Sequence, residues 1–479
     1  MFVKNSFEYD ARVTKEARSL VEGGHEVTVV AIHIPGITPE AEVTPDGIKV
    51  VRVSRLSFGM RAVQRAHARF VVDVEERRAR LTGDQVDEDH IRRYAALLPA
   101  STATPGEARA VAPPRSMPPA DASTPPQRGR PARAWAAVST TALRAASQTV
   151  RHGFRAAKFV VQWPLRRVRA WSLDRRFAAA GLATGAAVWH CHDLNTLAVG
   201  VTCKRERPGT RLVYDSHELA TERSRMSRAA RRRAGRAERR GLRQVDEGIW
   251  TTRTRAEYVV RRYGIPFPTL IHNVPEMLEV EQGWDLHERL ALPAEQRILL
   301  YQGSIQEFRG IEESIAAVTL LDRCVLVVIG YGYHRPALEE MVRRRGLGDR
   351  VRFFGPIPND ELLYYTASAD VGLCVIRGRS LSYRWSMPNK LFEYMMAGIP
   401  VVASDFEEMG RVVREEGVGT VCDPDDPESI AAAVRAIVDD PEAESRFRAA
   451  TRRAIAKYNW DEEEKKLLAL YRRLEPAAG

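Results

Sequence analysis

Cysteine is scarce in this chain, which has five among its 479 residues. The five are odd in number and far apart, and none forms a CxxC pair, so neither a disulfide framework nor a zinc site of clustered thiols is supported. Three of them, Cys324, Cys374 and Cys422, lie inside apolar runs of the kind that form strands. We therefore expect buried, reduced thiols.

Long apolar runs are also missing. None reaches the roughly 18 residues that a membrane-spanning helix needs, and charges interrupt the opening segment MFVKNSFEYDARV before an apolar stretch can form. We expect no spanning helix and no secretory signal, and hence a cytoplasmic protein. Hydrophobic residues at 44% and charged residues at 28% are typical of globular proteins, and the length suggests two large domains.

Two common nucleotide-binding fingerprints are absent. There is no GxxxxGK[ST] motif and no full GxGxxG motif, so neither a P-loop nor a dinucleotide site is supported. Gly330 and Gly332 flank Tyr331 after the apolar run CVLVVI. Such a turn lets a ligand approach the backbone, although plain turn geometry explains it equally well.

The order of apolar runs predicts the fold class. Between residues 297 and 421, six short β-branched runs alternate with amphipathic stretches. The runs show no period-2 alternation, which is typical of strands covered on both faces, so we predict a parallel, doubly wound α/β domain. The N-terminal part repeats this pattern with a large interruption at about residues 60–185. The prediction is therefore two facing Rossmann-like domains, with a long insertion in the first.

Basic charge is concentrated in two segments. Residues 101–176 contain 14 Lys/Arg against 3 Asp/Glu, and residues 221–245 contain 10 Arg against 2 Glu, although the whole chain carries only +11. The rest of the chain is therefore acidic. This distribution favours local contact with an anionic surface over a nucleic-acid-binding fold.

The insertion combines two kinds of sequence. Residues 100–133 are rich in Pro, Ala and Ser and predict a disordered linker. Residues 134–176 interleave apolar and basic side chains, with Trp163 and Trp171 suited to the headgroup level of a bilayer. We predict a membrane-interface helix here; a helix packed within the protein and a nucleic-acid-binding arm are the alternatives.

The most specific segment is SMPNKLFEYMMAGIPVVAS at residues 386–404. A helix that begins near Pro388 presents free N–H groups and a positive dipole end to a phosphate, and Lys390 adds a full charge. Glu393, one turn later, is placed to accept hydrogen bonds from ribose hydroxyls. The alternative is an ordinary helix with a solvated Lys and Glu.

These residues resemble the nucleotide-binding signature of retaining family-4 glycosyltransferases, which have the GT-B architecture. The matching positions are Pro388, Lys390, Glu393, Met396 (where Ala is usual), Gly398, Pro400 and Val401. The segment YQGSIQEFRGIEESI resembles the family's diphosphate loop, and NWDEEEKKLLALYRRL resembles the final helix that crosses back to the first domain. The resemblance implies a donor-binding set of Gly303, Arg309, Gly310, Gly332, Lys390, Leu391 and Glu393.

Two positions depart from the family pattern. Trp385 stands where a carboxylate that contacts the donor sugar is common, and Ser304 stands where the diphosphate loop often has Arg. Arg309 is then the basic group of that loop. The departures concern the sugar and the catalytic detail, while the nucleotide site is retained.

A second polar cluster ends the apolar run AVWHCHD. The carboxyl end of a parallel strand is where open α/β sheets bind ligands, and His suits proton handling near neutral pH. His192 matches the family position that faces the reacting sugar, and we predict His192 and Asp193 as catalytic. A structural histidine and a metal site formed by His190, His192 and Asp193 remain alternatives. The segment YDSHEL repeats the pattern more weakly, with Asp215, His217 and Glu218 at another strand end. These residues either line the acceptor side of the cleft or form a loop with local hydrogen bonds.

The resemblance implies a cytoplasmic glycosyltransferase that moves a sugar from a nucleoside-diphosphate sugar to a glycan or lipid-linked acceptor, with retention of configuration. It implies no cofactor and no required metal, and a place in polysaccharide biosynthesis. We expect peripheral attachment to an anionic membrane at the inner face of the plasma membrane, and no nucleic-acid partner. Predicted domains are residues 1–275, residues 276–459 and a returning helix at 460–479. Alternatives are a sugar-nucleotide epimerase or hydrolase, and a non-catalytic sugar-nucleotide-binding protein.

Overall fold

The computed structural model describes residues 1–8, 10–55, 167–278, 280 and 284–475. It divides into two compact units, Met1–Val53 with Phe177–Gly479, and Ser54–Arg176. The predicted linker at 100–133 and most of the basic segment at 134–176 lie outside the described residues. Within the second unit, residues 167–176 are helical.

The N-terminal part of the first unit contains two sheets. Its elements are α1 (Ala11–Glu22), β1 (Thr28–His33), β2 (Ala41–Val43), β3 (Lys49–Ser54), β4 (Val188–His192), α2 (Leu194–Glu206), β5 (Arg211–Ser216), α3 (Arg228–Leu242), β6 (Glu247–Trp250), α4 (Arg253–Tyr263) and β7 (Thr269–Leu270). The strand orders are β1-β3-β2 and β4-β5-β6-β7, the latter parallel. Phe2 forms parallel bridges to Val30 and Cys191, so the first residues of the chain connect the two sheets.

The C-terminal part is built on one parallel sheet of order β10-β9-β8-β11-β12-β13. Its elements are α5 (Leu286–Leu290), β8 (Arg297–Gln302), α6 (Ile311–Val318), β9 (Cys324–Ile329), α7 (Arg335–Arg344), β10 (Val351–Phe354), α8 (Asn359–Ala367), β11 (Val371–Cys374), α9 (Leu381–Arg384), α10 (Asn389–Met396), β12 (Val401–Ser404), α11 (Met409–Glu416), β13 (Gly419–Cys422), α12 (Pro427–Val438), α13 (Pro441–Ala454) and α14 (Trp460–Leu474). Strand β9 is buried at all six positions, as expected for a strand covered on both faces. The predicted α/β fold class is confirmed.

Local sequence signals account for several helix boundaries. Asp10 accepts from the Val13 N–H and caps α1, and Asn459 accepts from the Glu462 N–H and caps α14. Helices α12 and α13 each begin with proline after a capping aspartate. These caps place α1 and α14, which contact each other: Trp460 Nε1 donates to Ser19 Oγ at 2.8 Å.

The cysteine prediction is confirmed, since all five thiols are free and buried. In the part of the chain that the structure describes, no helix is both long and apolar enough to cross a bilayer.

Candidate active site

The predicted diphosphate loop joins β8 to α6. Gly310 precedes α6 with φ +72°, and a Cβ there would lie 2.3 Å from the Val375 carbonyl oxygen. Glycine is required because the loop backbone lies directly against the end of β11 and has a left-handed conformation. Gly303, directly after β8, is exposed at the start of the same loop.

The turn after β9 packs against this loop. A Cβ on Gly332 would lie 1.9 Å from the Ile305 carbonyl oxygen, and the Ile305 N–H donates to the Tyr331 carbonyl at 2.8 Å. Close packing between the two loops therefore explains the glycine at position 332. Its part in donor binding stays a prediction.

Two cations lie near the start of α10. The Lys390 Nζ is 3.4 Å from the centre of the Tyr301 ring, and the Arg309 guanidinium lies over the Tyr383 ring at 5.1 Å. Burial lowers the pKa of Lys390 to about 7. Among the described residues, neither Lys390 Nζ nor Arg309 Nε has a hydrogen-bond partner. Buried donor atoms without partners are unfavourable, and a bound anion would satisfy both of these atoms.

Glu393 and Leu391 complete the predicted donor set. Glu393 Oε2 accepts from Gln302 Nε2 at 2.5 Å, and burial raises the pKa of Glu393. The Leu391 side chain is fully buried, and its N–H donates to the Pro388 carbonyl at 3.0 Å. Glu393 is thus held in place by a second side chain, while the N–H of Leu391 is already engaged. Roles in donor binding stay predictions for both residues.

His192 is placed deep at the end of β4. It is only 2% exposed, and its ring stacks on His190 with centroids 4.4 Å apart. Its Nδ1 lies 3.3 Å from His217 Nε2 and 3.4 Å from Asp215 Oδ2. Burial lowers the pKa of His192, which favours the neutral imidazole. His192 is therefore more deeply buried than His217, which contacts its ring. The catalytic role of His192 stays a prediction.

His217 is the more accessible histidine. Its side chain is 24% exposed and contacts Asp215 Oδ2 at 3.0 Å. Its backbone N–H donates to Asp193 Oδ1 at 3.2 Å, so Asp193 positions the His217 backbone. Burial opposes the charged imidazolium, but Asp215 outweighs it and raises the pKa of His217 to about 9. The sequence motif that was ranked lower, YDSHEL, therefore supplies the more accessible of the two histidines.

Helix α1 contributes two residues that the sequence analysis did not identify. Arg12 donates to both carboxylate oxygens of Asp215 at 3.1 Å, and its Nε is 2.9 Å from Glu16 Oε1. Burial favours the protonated form of Glu16 and raises its pKa to about 8. Burial also opposes ionisation of Asp215, but Arg12 and His217 outweigh it and hold the Asp215 pKa well below its usual range. The only sequence signal was the pair of opposite charges at positions i and i+4 of the helix.

The structure brings together a different set of possible metal ligands from the set that the sequence suggested. Glu16, His190, His192 and Asp215 each offer a ligand atom, and these atoms lie within 4.8 Å of one another. Asp193, which the sequence grouped with the histidines, is not among them. The Arg12 guanidinium contacts both carboxylates of the group and would repel a cation. The cluster therefore fits an ion-paired network better than a metal site.

Trp385 connects the two parts of the first unit. Its ring lies 5.4 Å from the Tyr258 ring of α4, and its carbonyl accepts from Thr252 Oγ1 at 3.1 Å. Nearby, Arg255 donates to the His217 carbonyl and to the Ser382 carbonyl, each at 2.7 Å. The residue that replaces the usual carboxylate thus packs against the N-terminal part and aligns it with α9.

The C-terminal sequence matches a family model. Residues 283–454 match the family described as glycosyl transferases group 1. The D-inositol 3-phosphate glycosyltransferase of Xylanimonas cellulosilytica is 28% identical over 242 residues, which are 47% of this chain and 56% of that protein. The glycogen synthase of Mycobacterium tuberculosis is 31% identical over 173 residues, 35% of this chain and 40% of that enzyme. The chain thus spans about half the length of these curated relatives.

Solved structures show the same architecture. The sucrose-phosphate synthase of Thermosynechococcus elongatus superposes with a TM-score of 0.63 at 19% identity, over 97% of this chain and 92% of that one. HepE of Anabaena, in complex with UDP-glucose, has a TM-score of 0.52 at 16% identity, over 62% of this chain and 82% of HepE. At these identities the likeness shows the fold alone. The chain therefore has the GT-B architecture, and residues 283–454 are similar to glycosyl transferases group 1, which agrees with the resemblance found in the sequence.

Proposed function

We propose that this protein transfers a sugar from a nucleoside-diphosphate sugar to an acceptor hydroxyl, with retention of configuration. The observation that supports it most directly is the pair of basic side chains Lys390 and Arg309. Lys390 is buried and Arg309 is partly buried, and neither Lys390 Nζ nor Arg309 Nε has a hydrogen-bond partner among the described residues. They lie at the loop and helix start that resemble the family's donor site. An anionic diphosphate would satisfy both groups at once.

Departure of the diphosphate is the step that these cations assist. As the bond between the sugar C1 and the phosphate oxygen breaks, negative charge grows on the diphosphate. Arg309, Lys390 and the N-terminus of α10 stabilise that charge, a preorganised electrostatic effect. Because two side chains supply the positive charge, the proposal requires no metal and no cofactor.

Bond formation takes place on the face that the diphosphate leaves. The acceptor oxygen bonds to C1, and the acceptor hydroxyl proton passes to the departing phosphate oxygen. His217, held by Asp215 and Asp193, is the partly exposed cation on the acceptor side. His192 lies behind it and acts as a positioning residue through its contact with the His217 ring.

The relatives guide the choice of substrates. A structural neighbour is described in complex with UDP-glucose. One sequence relative is named as a D-inositol 3-phosphate glycosyltransferase and another as a glycogen synthase. We propose a nucleoside-diphosphate hexose as the donor and a glycan or lipid-linked acceptor, as used in polysaccharide biosynthesis.

Attachment at the inner face of the plasma membrane is part of this proposal. It rests on the basic insertion, whose described end exposes Val168 and Trp171. Basic residues interleaved with exposed apolar ones suit a membrane interface.

Two experiments separate this function from its rivals. Release of nucleoside diphosphate from a panel of donors is measured with and without glycan and lipid-linked acceptors. Acceptor-dependent release supports transfer, whereas acceptor-independent conversion supports an epimerase or hydrolase. Donor binding without any turnover across the panel supports a non-catalytic protein. The Arg309→Gln variant should lose donor binding in every case where the site assignment is right.

A further inference from the structure

Helix α3 carries an arginine surface that the proposed reaction does not use. Its single acidic residue, Glu238, is buried and accepts from Tyr214 and Tyr263, so it does not offset the exposed charges. The arginine face consists of Arg228, Arg232, Arg233, Arg236, Arg239, Arg240 and Arg243, all exposed. The first six lie within α3 and the seventh follows it directly.

The spacing of this face concentrates charge along one line. Arg228, Arg232, Arg236 and Arg240 follow one another at intervals of four residues, which places them on one side of the helix. At a rise of about 1.5 Å per residue the line is roughly 18 Å long. Like charges at this spacing destabilise an isolated helix. Such a line is therefore unfavourable unless an anionic partner compensates it.

The fold itself does not neutralise these charges. Within the described ranges, none of the seven side chains lies within 4 Å of a carboxylate oxygen; Arg236 bonds the Arg232 carbonyl and Arg239 the Arg262 carbonyl. By contrast, Arg343 and Arg344 on α7 both pair with Glu340. The arginine face therefore differs from ordinary charged helix surfaces of this same protein.

The start of α3 lies beside the donor loop. Arg225, three residues before α3, pairs with Glu307, which precedes Arg309 in that loop. A partner that covers the arginine face would therefore be close to the proposed site of transfer.

We propose that the arginine face of α3 docks the protein onto an anionic phospholipid surface. Guanidinium groups bind phosphates through paired hydrogen bonds, and a line of them suits a plane of headgroups. The other exposed residues of α3 are Ala229, Arg231 and Ala237, of which Arg231 pairs with Glu222. The helix therefore exposes no Asn or Gln side chain with which to recognise adenine. Membrane docking through α3 does not depend on the proposed function. Only the idea that docking brings the site close to a lipid-linked acceptor rests on the proposed function.

The test compares two variants that lose the same charge. R228Q/R232Q/R236Q/R240Q removes the line on α3, and R343Q/R344Q/R446Q/R453Q removes four exposed arginines from the C-terminal part. Binding of the full chain to vesicles of phosphatidylcholine with phosphatidylserine is measured by co-sedimentation at low and physiological salt. Since each arginine near an anionic surface is worth roughly a factor of five, the α3 variant should bind more than about tenfold more weakly. The matched control should bind nearly as the parent does.

Several outcomes overturn the proposal. Vesicle binding by the α3 variant that equals binding by the parent would overturn it. An equal loss of vesicle binding in both Gln variants would also overturn it, because it would show a general effect of charge. Tighter binding to duplex nucleic acid than to vesicles, lost in the α3 variant, assigns the face to another partner. The R228K/R232K/R236K/R240K variant should retain vesicle binding, and unchanged melting temperature and UDP binding show that the Gln variant is folded. A chain that docks but transfers no sugar counts against the proposed function alone.

Discussion

We predict that Lys390 makes donor binding dependent on pH. Burial holds its pKa near 7 in the free protein, so about half of the molecules carry an uncharged amine at neutral pH. A bound diphosphate favours the charged form, and the pKa of Lys390 must then rise. Binding therefore takes up a proton whenever the pH lies between the two values, and affinity falls as pH rises above 7, by up to about tenfold per pH unit.

The assay is isothermal titration with the tightest binder from a panel of UDP, GDP, ADP and dTDP, at pH values from neutral upward. A terminal phosphate titrates near pH ~6, so this range avoids protonation of the ligand. Titrations in buffers of different ionisation enthalpy count the protons. The parent should take up close to one proton when the pH is about one unit above the Lys390 pKa.

The Lys390→Met variant should lose this uptake. It should also bind more weakly by about 1.5–3 kcal/mol at neutral pH, the usual range for a hydrogen bond to a charged group. Lys457→Met is the matched control, because Lys457 is exposed and pairs with Glu416 away from the donor loop. Equal affinities and equal proton uptake in the parent and the Lys390 variant would refute the donor-site assignment.

Two further predictions concern the acceptor side. His217→Asn should lower turnover by at least about 100-fold with donor affinity unchanged, and His192→Asn should lower turnover less. In the parent, turnover should fall as the pH rises past the His217 pKa of about 9. A flat pH profile would indicate that His217 has only a structural role. Arg12→Met should lower the free energy of unfolding by about 3–5 kcal/mol in urea titrations, because it leaves the buried Asp215 carboxylate without the guanidinium that pairs with it. The partly exposed Arg18, which pairs with Asp46 and Glu276, is the control: Arg18→Met should change the free energy of unfolding by less than about 1 kcal/mol, and similar values for the two variants would contradict the network.

The fold and the positions of the glycine-containing loops were predictable because their signals are local. Strand β9 is apolar at each position, and the diphosphate loop with its glycines is one continuous segment. Such patterns need only the neighbouring residues to be recognised. The comparisons accordingly confirmed the α/β class and the family resemblance.

The acceptor-side network was not predictable in the same way. Glu16 comes from α1, His190 from β4, Asp215 from β5 and Tyr471 from α14, and they meet only through tertiary packing. The sequence therefore ranked His192 above His217, because relative burial depends on which strand ends lie behind others. The contact between Trp385 and Tyr258 was unpredictable for the same reason, since the two residues are far apart in sequence.

Sugar transfer with retention is the central claim, and proton NMR of the reaction product tests it most directly. The purified full chain is incubated with an α-linked nucleoside-diphosphate hexose that it binds and with a panel of glycan and lipid-linked acceptors. The account predicts that the donor is consumed only when a suitable acceptor is present, and that the new anomeric signal is α. A β-linked product, or free or isomerised sugar formed without an acceptor, would contradict it.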